Sequence, residues 1–176
     1  MRSPVVNFAK NFTLGYDIYM EQFFTQNSEL ILKLIMAVGM GLLVGAERLL
    51  VHKDAGMKTH ALVSLGSAVF VLVSEALVQK YMNLPGLNPV MIPSQIIVGI
   101  GFLGAGSIMI YGTRLRGLTT AGGLWVTAGI GMAAGFGFFN LAFIVTILVL
   151  LILIIVNILE KPIKKISQGT DQPANQ

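Results

Sequence analysis

The chain has 176 residues, of which 55% are hydrophobic and 11% are charged, and its mean hydropathy is +0.78. Soluble domains carry about 25% charged residues, so this composition excludes an ordinary soluble domain and a disordered chain. The net charge of +4 comes without the basic stripe and stacking aromatics of a nucleic-acid-binding module. The lack of cysteine excludes disulfides and thiolate metal sites. The composition predicts an integral membrane protein that is surrounded by the lipid bilayer.

Residues 1–29 are mixed and polar, and they are predicted to form an N-terminal segment outside the membrane. Their aromatic residues and one methionine recur at steps of three and four: Phe8, Phe12, Tyr16, Tyr19, Met20 and Phe23. That spacing makes one apolar face on a helix, which favours a helix lying in the outer membrane interface. A loosely ordered tail is the alternative, because Gly15 interrupts the pattern.

Five apolar runs follow. The length of each is close to that of a membrane-spanning helix, which needs about 20 residues. The predicted spans are Leu30–Leu50, Ala61–Val78, Met91–Tyr111, Leu118–Phe138 and Leu141–Leu159. They predict an all-α integral membrane protein whose five transmembrane helices form one domain at residues 30–159. Residues 160–176 are expected to form a short, disordered cytoplasmic tail.

Lysine and arginine in the loops predict the orientation, because cytoplasmic loops carry an excess of both. One side holds Arg48, Lys53, Lys58, Arg114, Arg116, Lys161, Lys164 and Lys165, and the other side holds Arg2, Lys10 and Lys80. The N-terminus is therefore predicted outside, and the C-terminus in the cytoplasm.

Three of the predicted spans are rich in glycine, which lets helix backbones approach closely where lipid supplies little force to join them. These glycines include Gly41 and Gly45 in the first span, Gly99, Gly101, Gly104 and Gly106 in the third, and Gly131 and Gly135 in the fourth. They predict either tight packing of these three spans within one chain or a seam between copies, with a dimer as the expected oligomer. A further hypothesis is a locally unwound third span whose carbonyl groups line an ion site.

Lys33 and Glu75 are predicted to lie inside the membrane, where a charge needs a partner or a role. Each lies about one turn inside the outer end of its span, and the two spans run antiparallel. The hypothesis is an intramembrane ion pair. The alternative is that Lys33 extends to the surface and Glu75 caps a hydrated helix end.

Further unusual residues converge on the predicted cytoplasmic half of the bundle: Glu47, Arg48, Lys58, Thr59, His60, Gly99, Gly101, Gly104, Gly106, Arg116, Thr119 and Thr120. Such a cluster can bind an anion, a cation or a protein partner, and anchoring at the membrane surface is the alternative. Glu47 is the one candidate metal ligand, and His60 is expected at the membrane interface. The sequence offers no nucleophile beside a base and no metalloenzyme motif, so no catalytic residue and no enzyme are predicted.

Five stretches occur in a characteristic order: GLLVGAER at 41–48, AGMKTHALVSLG at 55–66, GIGFLGAG at 99–106, RGLTTA at 116–121 and LWVTAGIG at 124–131. Together they closely resemble the MgtC/SapB family of bacterial membrane proteins, over roughly residues 32–159. The resemblance implies a multi-pass protein of the bacterial inner membrane with about five spans. Members are linked to adaptation to low magnesium and to survival inside host cells. The best-known member is reported to restrain the proton-translocating ATP synthase.

By this resemblance, the family's Glu-Arg pair falls on Glu47 and Arg48, its glycine-rich motif on residues 99–106 and its RGLTT motif on residues 116–120. The usual arginine before Thr-His is Lys58 here, which removes bidentate recognition of an anion. Many members carry an ACT-like domain after the last span, whereas this sequence ends at Gln176.

The expected function is that of a non-enzymatic membrane factor in magnesium or ionic homeostasis, active in low-magnesium or virulence adaptation. The expected protein partner is a membrane protein such as ATP synthase. A small ion or solute transporter or channel, with its site in the cytoplasmic half of the bundle, is the alternative. No cofactor is expected, although magnesium or another ion remains open as a ligand, and no nucleic acid is expected as a partner.

Overall fold

The computed structural model describes residues 20–81, 88 and 90–169, with the backbone alone for Arg114 and residues 161–169. This part of the chain contains five long helices: α1 Ser28–Leu50, α2 Met57–Lys80, α3 Met91–Gly106, α4 Leu118–Gly135 and α5 Phe139–Gly169. Two short strands, β1 Met109–Tyr111 and β2 Arg114–Arg116, pair antiparallel between α3 and α4. Residues 20–26 are also helical, and the rest of the predicted N-terminal interfacial helix lies outside the described residues.

Three helices in the described part of the chain are long and apolar enough to cross a membrane: Ser28–Leu50, Met57–Lys80 and Phe139–Glu160. α3 is apolar but has only 16 residues. α4 carries glycine and threonine along its length, which lowers its hydropathy. The protein is therefore a mostly helical membrane protein, and one helix overlaps each of the five predicted spans.

The prediction for the third span is wrong beyond Gly106, because the chain leaves the helix there and forms the hairpin β1–β2. The Ser107 hydroxyl donates a hydrogen bond to Gly104 O at 2.7 Å. The Ser107 carbonyl contacts Gly117, which adopts a φ of +90°. Any side chain at residue 117 would collide with that carbonyl. Glycine at this position therefore lets the end of β2 return to the end of α3. The unwound third span is also wrong, since α3 is a regular α-helix from Met91 to Gly106.

α5 is longer than the predicted fifth span at both ends. Gly137 adopts a φ of +78° and turns the chain between α4 and α5, so that α5 begins at Phe139. At its other end α5 continues to Gly169. The described helix thus extends ten residues into the segment predicted as the cytoplasmic tail, and residues 170–176 lie outside the described part.

α1 packs antiparallel on α2 with their backbones in direct contact. A Cβ atom added to Gly41 would lie 2.7 Å from His60 O, and one added to Gly45 would lie 2.5 Å from Met57 Cα. Real Cβ atoms do not approach a neighbouring backbone so closely. These two positions can therefore hold only glycine without moving one helix away from the other.

α4 packs on another face of α2 in the same manner. A Cβ atom added to Gly131 would overlap the Ser64 carbonyl, and one added to Gly135 would lie 3.0 Å from Ala68 Cα. These contacts advance in the same direction along both helices, so α2 and α4 are parallel. α4 also contacts α1, α3 and α5, which makes it the central helix of the bundle.

The glycines of α3 differ from those of α1 and α4. Gly104 is in ordinary contact with Ala121 of α4, at 3.6 Å from the position of an added Cβ atom. No described atom lies within 4 Å of an added Cβ atom at Gly99, Gly101 or Gly106. The glycines of the first and fourth spans therefore pack on the second span, and both the first and the third span also contact the fourth.

We predict that Gly131→Ala destabilises the protein and that Gly129→Ala does not. The new Cβ at residue 131 meets the backbone of Ser64, which cannot move without shifting α2, and such overpacking costs about 1–3 kcal/mol. At Gly129 no described atom lies within 4 Å of an added Cβ atom, and alanine stabilises a helix interior by about 0.5–1 kcal/mol relative to glycine. Thermal unfolding of the detergent-solubilised protein measures both effects. Equal midpoints for the two variants would contradict this packing.

Candidate functional site

Glu47 and Arg48 form an ion pair in the last turn of α1. Both residues are buried, with exposed fractions of 7% and 2%. Arg48 Nε donates a hydrogen bond to Glu47 Oε2, and Arg48 Nη2 contacts the same oxygen. Because both guanidinium contacts fall on Oε2, Glu47 Oε1 has no hydrogen-bond partner among the described residues.

A buried ion pair of this kind is stable only when its attraction offsets the cost of removing two charges from water. That cost is several kcal/mol per ion, and additional hydrogen bonds to the remaining polar atoms are needed to offset it. Buried polar atoms in folded proteins are nearly always hydrogen-bonded. Glu47 Oε1 is therefore a free acceptor that can take a donor or a cation from a ligand, a water molecule or a partner.

His60 is fully buried near the start of α2, whereas the sequence pattern predicts it at the membrane interface. Its Nδ1 lies 2.8 Å from Thr127 Oγ1, and the Thr127 hydroxyl donates to Gly123 O at 2.8 Å. A threonine hydroxyl has a single proton, so the Nδ1–H of His60 is the donor to Thr127. Nε2 then holds a lone pair, and it has no hydrogen-bond partner among the described residues.

Gly123 explains why α2 and α4 can enclose an imidazole ring. A Cβ atom added to Gly123 would lie 3.4 Å from His60 Cε1, so a larger side chain there would press on the ring. The Arg48 guanidinium lies close enough to the same ring to act on it electrostatically. The buried site is therefore built from the end of α1, the start of α2 and one face of α4.

Thr127 is a site residue that the sequence prediction misses. Thr120, Gly123 and Thr127 follow one another at spacings of three and four residues, which places them on one face of a helix. That spacing is the signal through which Thr127 can be found. It does not reveal that the face is turned toward His60, because the partner lies on another helix.

The other members of the predicted cluster divide between the interior and the surface. Thr120 is buried in α4. Lys58, Thr59, Arg116 and Thr119 are exposed. The Arg116 guanidinium lies over the Tyr111 ring of the hairpin, 5.4 Å from its centroid. The structure thus places Glu47, Arg48 and His60 in the interior with Thr120, and it leaves the remaining charged side chains at the surface.

Lys33 and Glu75 lie near the opposite end of α1 and α2. Lys33 Nζ is 3.5 Å from Glu75 Oε2 and 3.2 Å from Glu29 Oε1. The Lys33 side chain is 11% exposed, whereas Glu29 is 81% exposed. The lysine therefore lies between two carboxylates, one on its own helix and one on α2, and the Glu29 contact links it to the surface.

A metal site with several protein ligands is not formed by the residues that the structure describes, since no three of their His, Cys, Asp or Glu side chains cluster. Glu47, the predicted candidate ligand, has Oε2 paired with Arg48 and Oε1 free. A cation bound at this point would therefore meet one protein carboxylate oxygen and a neighbouring guanidinium.

The helices and the buried polar site define a helical membrane protein with a charged interior site. The family model described as the MgtC family matches residues 34–162. The chain is 40% identical over 128 residues to "Putative magnesium transporter YhiD" of Escherichia coli (strain K12), covering 72% of the chain and 60% of that relative. It is 47% identical over 120 residues to protein MgtC of Salmonella typhimurium (strain LT2), covering 68% of the chain and 49% of that relative. The chain belongs to the MgtC family.

The similarity extends to a third bacterium. The chain is 38% identical over 122 residues to an uncharacterized protein of Haemophilus influenzae, covering 67% of the chain and 51% of that relative. The matches to these three relatives therefore span 49–60% of the relatives' own length. No solved structure matches the chain.

We predict that Arg48→Met alone destabilises the protein by about 3–5 kcal/mol, because it leaves the buried Glu47 charge without a partner. Glu47→Leu combined with Arg48→Met is expected to recover most of this loss, since replacing both members of a buried pair with apolar residues is often neutral. Denaturant unfolding in detergent micelles measures both variants.

Glu29→Gln is the matched control on the same helix. Its carboxylate is exposed, so the loss of its contact with Lys33 is expected to change the stability by about 1 kcal/mol or less. A double variant that is no more stable than Arg48→Met would show that Glu47 is not a buried, charge-dependent partner of Arg48.

Proposed function

We propose that the chain crosses the bacterial inner membrane five times as one domain at residues 30–159, with the N-terminus outside and the C-terminus in the cytoplasm. The antiparallel packing of α1 on α2 and the parallel packing of α2 and α4 support this topology, because successive crossings alternate in direction. The loop cations support the orientation. α3 is about 24 Å long at 1.5 Å per residue, and the exposed apolar side chains of Met109 and Ile110 continue its surface toward the membrane boundary.

Within this topology, the protein is proposed to act without catalysis in magnesium or ionic homeostasis, including adaptation to low magnesium and virulence. The printed name of one relative, "Putative magnesium transporter YhiD", supports a magnesium-related role. The observation that carries the proposal is the buried Glu47–Arg48 pair with its free Oε1. Charged groups at membrane depth are costly, and an incompletely bonded pair adds little to stability, which favours a functional role for this pair.

The proposed mode of action is contact with a membrane partner at the cytoplasmic end of the bundle. The exposed side chains at this end include Lys58, Thr59, Arg116 and Thr119. ATP synthase is the proposed partner, as the resemblance to the family implies, and the protein is proposed to act as a homodimer. The 49–60% coverage of the relatives makes this a proposal about the membrane domain alone.

A small ion transporter or channel is the second candidate function. It is favoured by the two interior acceptors, Glu47 Oε1 and His60 Nε2, which have no hydrogen-bond partners among the described residues. An ion or its hydrating water that passes through the cytoplasmic half of the bundle would meet these two atoms. The transported species would then be the substrate, with Glu47 as its first protein contact.

Side-specific labelling of single introduced cysteines tests this topology. The sequence contains no cysteine, so no native thiol contributes background labelling. In intact cells a membrane-impermeant maleimide is expected to label Asn88→Cys and Asn140→Cys, and to spare Lys53→Cys and Thr113→Cys. All four positions are exposed in the structure. Labelling of residues 88 and 113 from the same side would overturn the five-span topology, because α3 lies between them.

The function is tested by complementation of a bacterial strain that lacks its own MgtC-type protein. The wild-type chain is expected to restore growth in low magnesium, and Glu47→Gln at equal abundance is expected to reduce growth to the level of the empty vector. Glu29→Gln, an exposed acid on the same helix, is the matched control and is expected to restore growth. Full growth with Glu47→Gln would refute a role for the buried carboxylate.

Two reconstituted systems separate the candidate functions. Purified protein titrated into inverted membrane vesicles is expected to slow ATP-driven proton pumping, and unchanged pumping at saturating protein would exclude the ATP synthase proposal. Liposome flux assays over several ions test the transporter proposal. Flux that is lost in Glu47→Gln would support transport, whereas no flux for any ion would eliminate it.

A further inference from the structure

An apolar groove with a volume of about 780 Å³ runs between α2 and α3. Its walls include exposed, flexible side chains such as Leu62, Phe70 and Leu103. Gly66 and Gly99 also line it, and no described atom lies within 4 Å of a Cβ atom added at either position. The groove is therefore a gap that the described side chains leave unfilled, because α3 packs more extensively on α4 than on α2.

The groove has the length of one membrane leaflet. Its α2 wall extends from Lys58 to Phe70, a distance of about 18 Å at 1.5 Å per residue. One leaflet of the bilayer has a hydrocarbon depth of about 15 Å, half of the roughly 30 Å core. An extended acyl chain within a single leaflet therefore fits along the groove.

One end of the groove is positively charged. Lys58 and Thr59 line it there, in the first turn of α2, which has no acidic residue and no side-chain cap from the described residues. The first backbone N–H groups of a helix have no partner within the helix, and they carry the positive end of the helix dipole. Lys58 makes no ion pair with any described residue, so its ammonium group adds a free cation to this end.

We propose that the groove binds a phospholipid, with one acyl chain between α2 and α3 and an anionic headgroup on Lys58, Thr59 and the α2 N-terminus. Helix N-termini bind phosphate groups through their free N–H groups. Basic pockets between transmembrane helices bind anionic lipid headgroups. Lipid binding is additional to the proposed function: it uses a different face of α2 from the one that holds His60, and it shares Lys58 and Thr59 with the proposed partner surface.

The charge at this end favours a lipid over a helix from a second copy of the chain. In a symmetric dimer within one membrane, a second copy would bring its own cytoplasmic-side residues to Lys58. Most charges predicted on that side are lysine and arginine, so this contact would be repulsive. An anionic phospholipid supplies the opposite charge at the headgroup and an apolar chain along the groove.

Native mass spectrometry of the full chain, purified in detergent with equal amounts of phosphatidylglycerol and phosphatidylcholine, tests this proposal. The wild-type protein is expected to retain phosphatidylglycerol in preference to phosphatidylcholine. Lys58→Gln is expected to reduce that preference about five-fold, the factor that corresponds to about 1 kcal/mol for one basic residue at an anionic lipid surface. Gly99→Leu places a side chain in the groove and narrows the space for an acyl chain. It is therefore expected to reduce the retention of both lipids.

Two matched controls are expected to keep the wild-type preference. Lys53→Gln removes an exposed cation from the neighbouring loop, and Gly122→Leu adds the same side chain at an exposed and equally open glycine outside the groove. Equal retention of the two lipids by the wild-type protein, or the same effect for Lys58→Gln and Lys53→Gln, would overturn the proposal. Conversion of dimers to monomers by Gly99→Leu with unchanged lipid retention would assign the groove to a second copy.

The outcome for Lys58→Gln decides the proposal even if Gly99→Leu fails to fold. The readout is lipid retention in detergent, which depends neither on the orientation in the membrane nor on Glu47. A negative result therefore leaves the growth and proton-pumping tests of the proposed function unaffected. Negative growth and proton-pumping results likewise leave the lipid-binding proposal unaffected.

Discussion

Close backbone contact between α2 and its two neighbours is the constraint on which the rest of this bundle depends. In lipid, apolar side chains gain little by associating, so helices are held together by close packing and by hydrogen bonds between them. Glycines on α1 and α4 remove the side chains that would keep these backbones apart. The approach is close enough for Ser64 Oγ of α2 to donate to Ala37 O of α1 at 2.7 Å. A polar side chain is thereby satisfied inside the bundle.

The buried polar site is a consequence of the same packing. Gly45 brings the last turn of α1 against the start of α2, which encloses Glu47 and Arg48. Gly123 leaves room for the His60 ring, which then bonds to Thr127. Two acceptor atoms of the site have no hydrogen-bond partners among the described residues, so its hydrogen-bond network is incomplete. The close helix contacts at glycine position its side chains.

α3 shows the limit of glycine spacing as a predictor. Glycine recurs in the third and fourth spans alike, yet Gly99 faces open space while Gly131 touches the backbone of α2. Glycine indicates that a close approach is sterically allowed, and it does not specify which helix approaches. The hairpin is a similar case: hydropathy extends the third span through Tyr111, but the helix ends at Gly106, and Gly117 meets the Ser107 carbonyl where the hairpin returns to the end of α3.

The sequence by itself determined the helical membrane character of the chain, the location of a helix in each apolar run, and the presence of Glu47 and Arg48 at the end of the first one. These properties follow from composition and local hydropathy, which neighbouring residues carry. Only the tertiary structure decided that His60 is buried, that Thr127 is its partner and that one oxygen of Glu47 has no hydrogen-bond partner among the described residues. These features depend on which helix faces meet, and contacts between residues far apart in the sequence determine that arrangement.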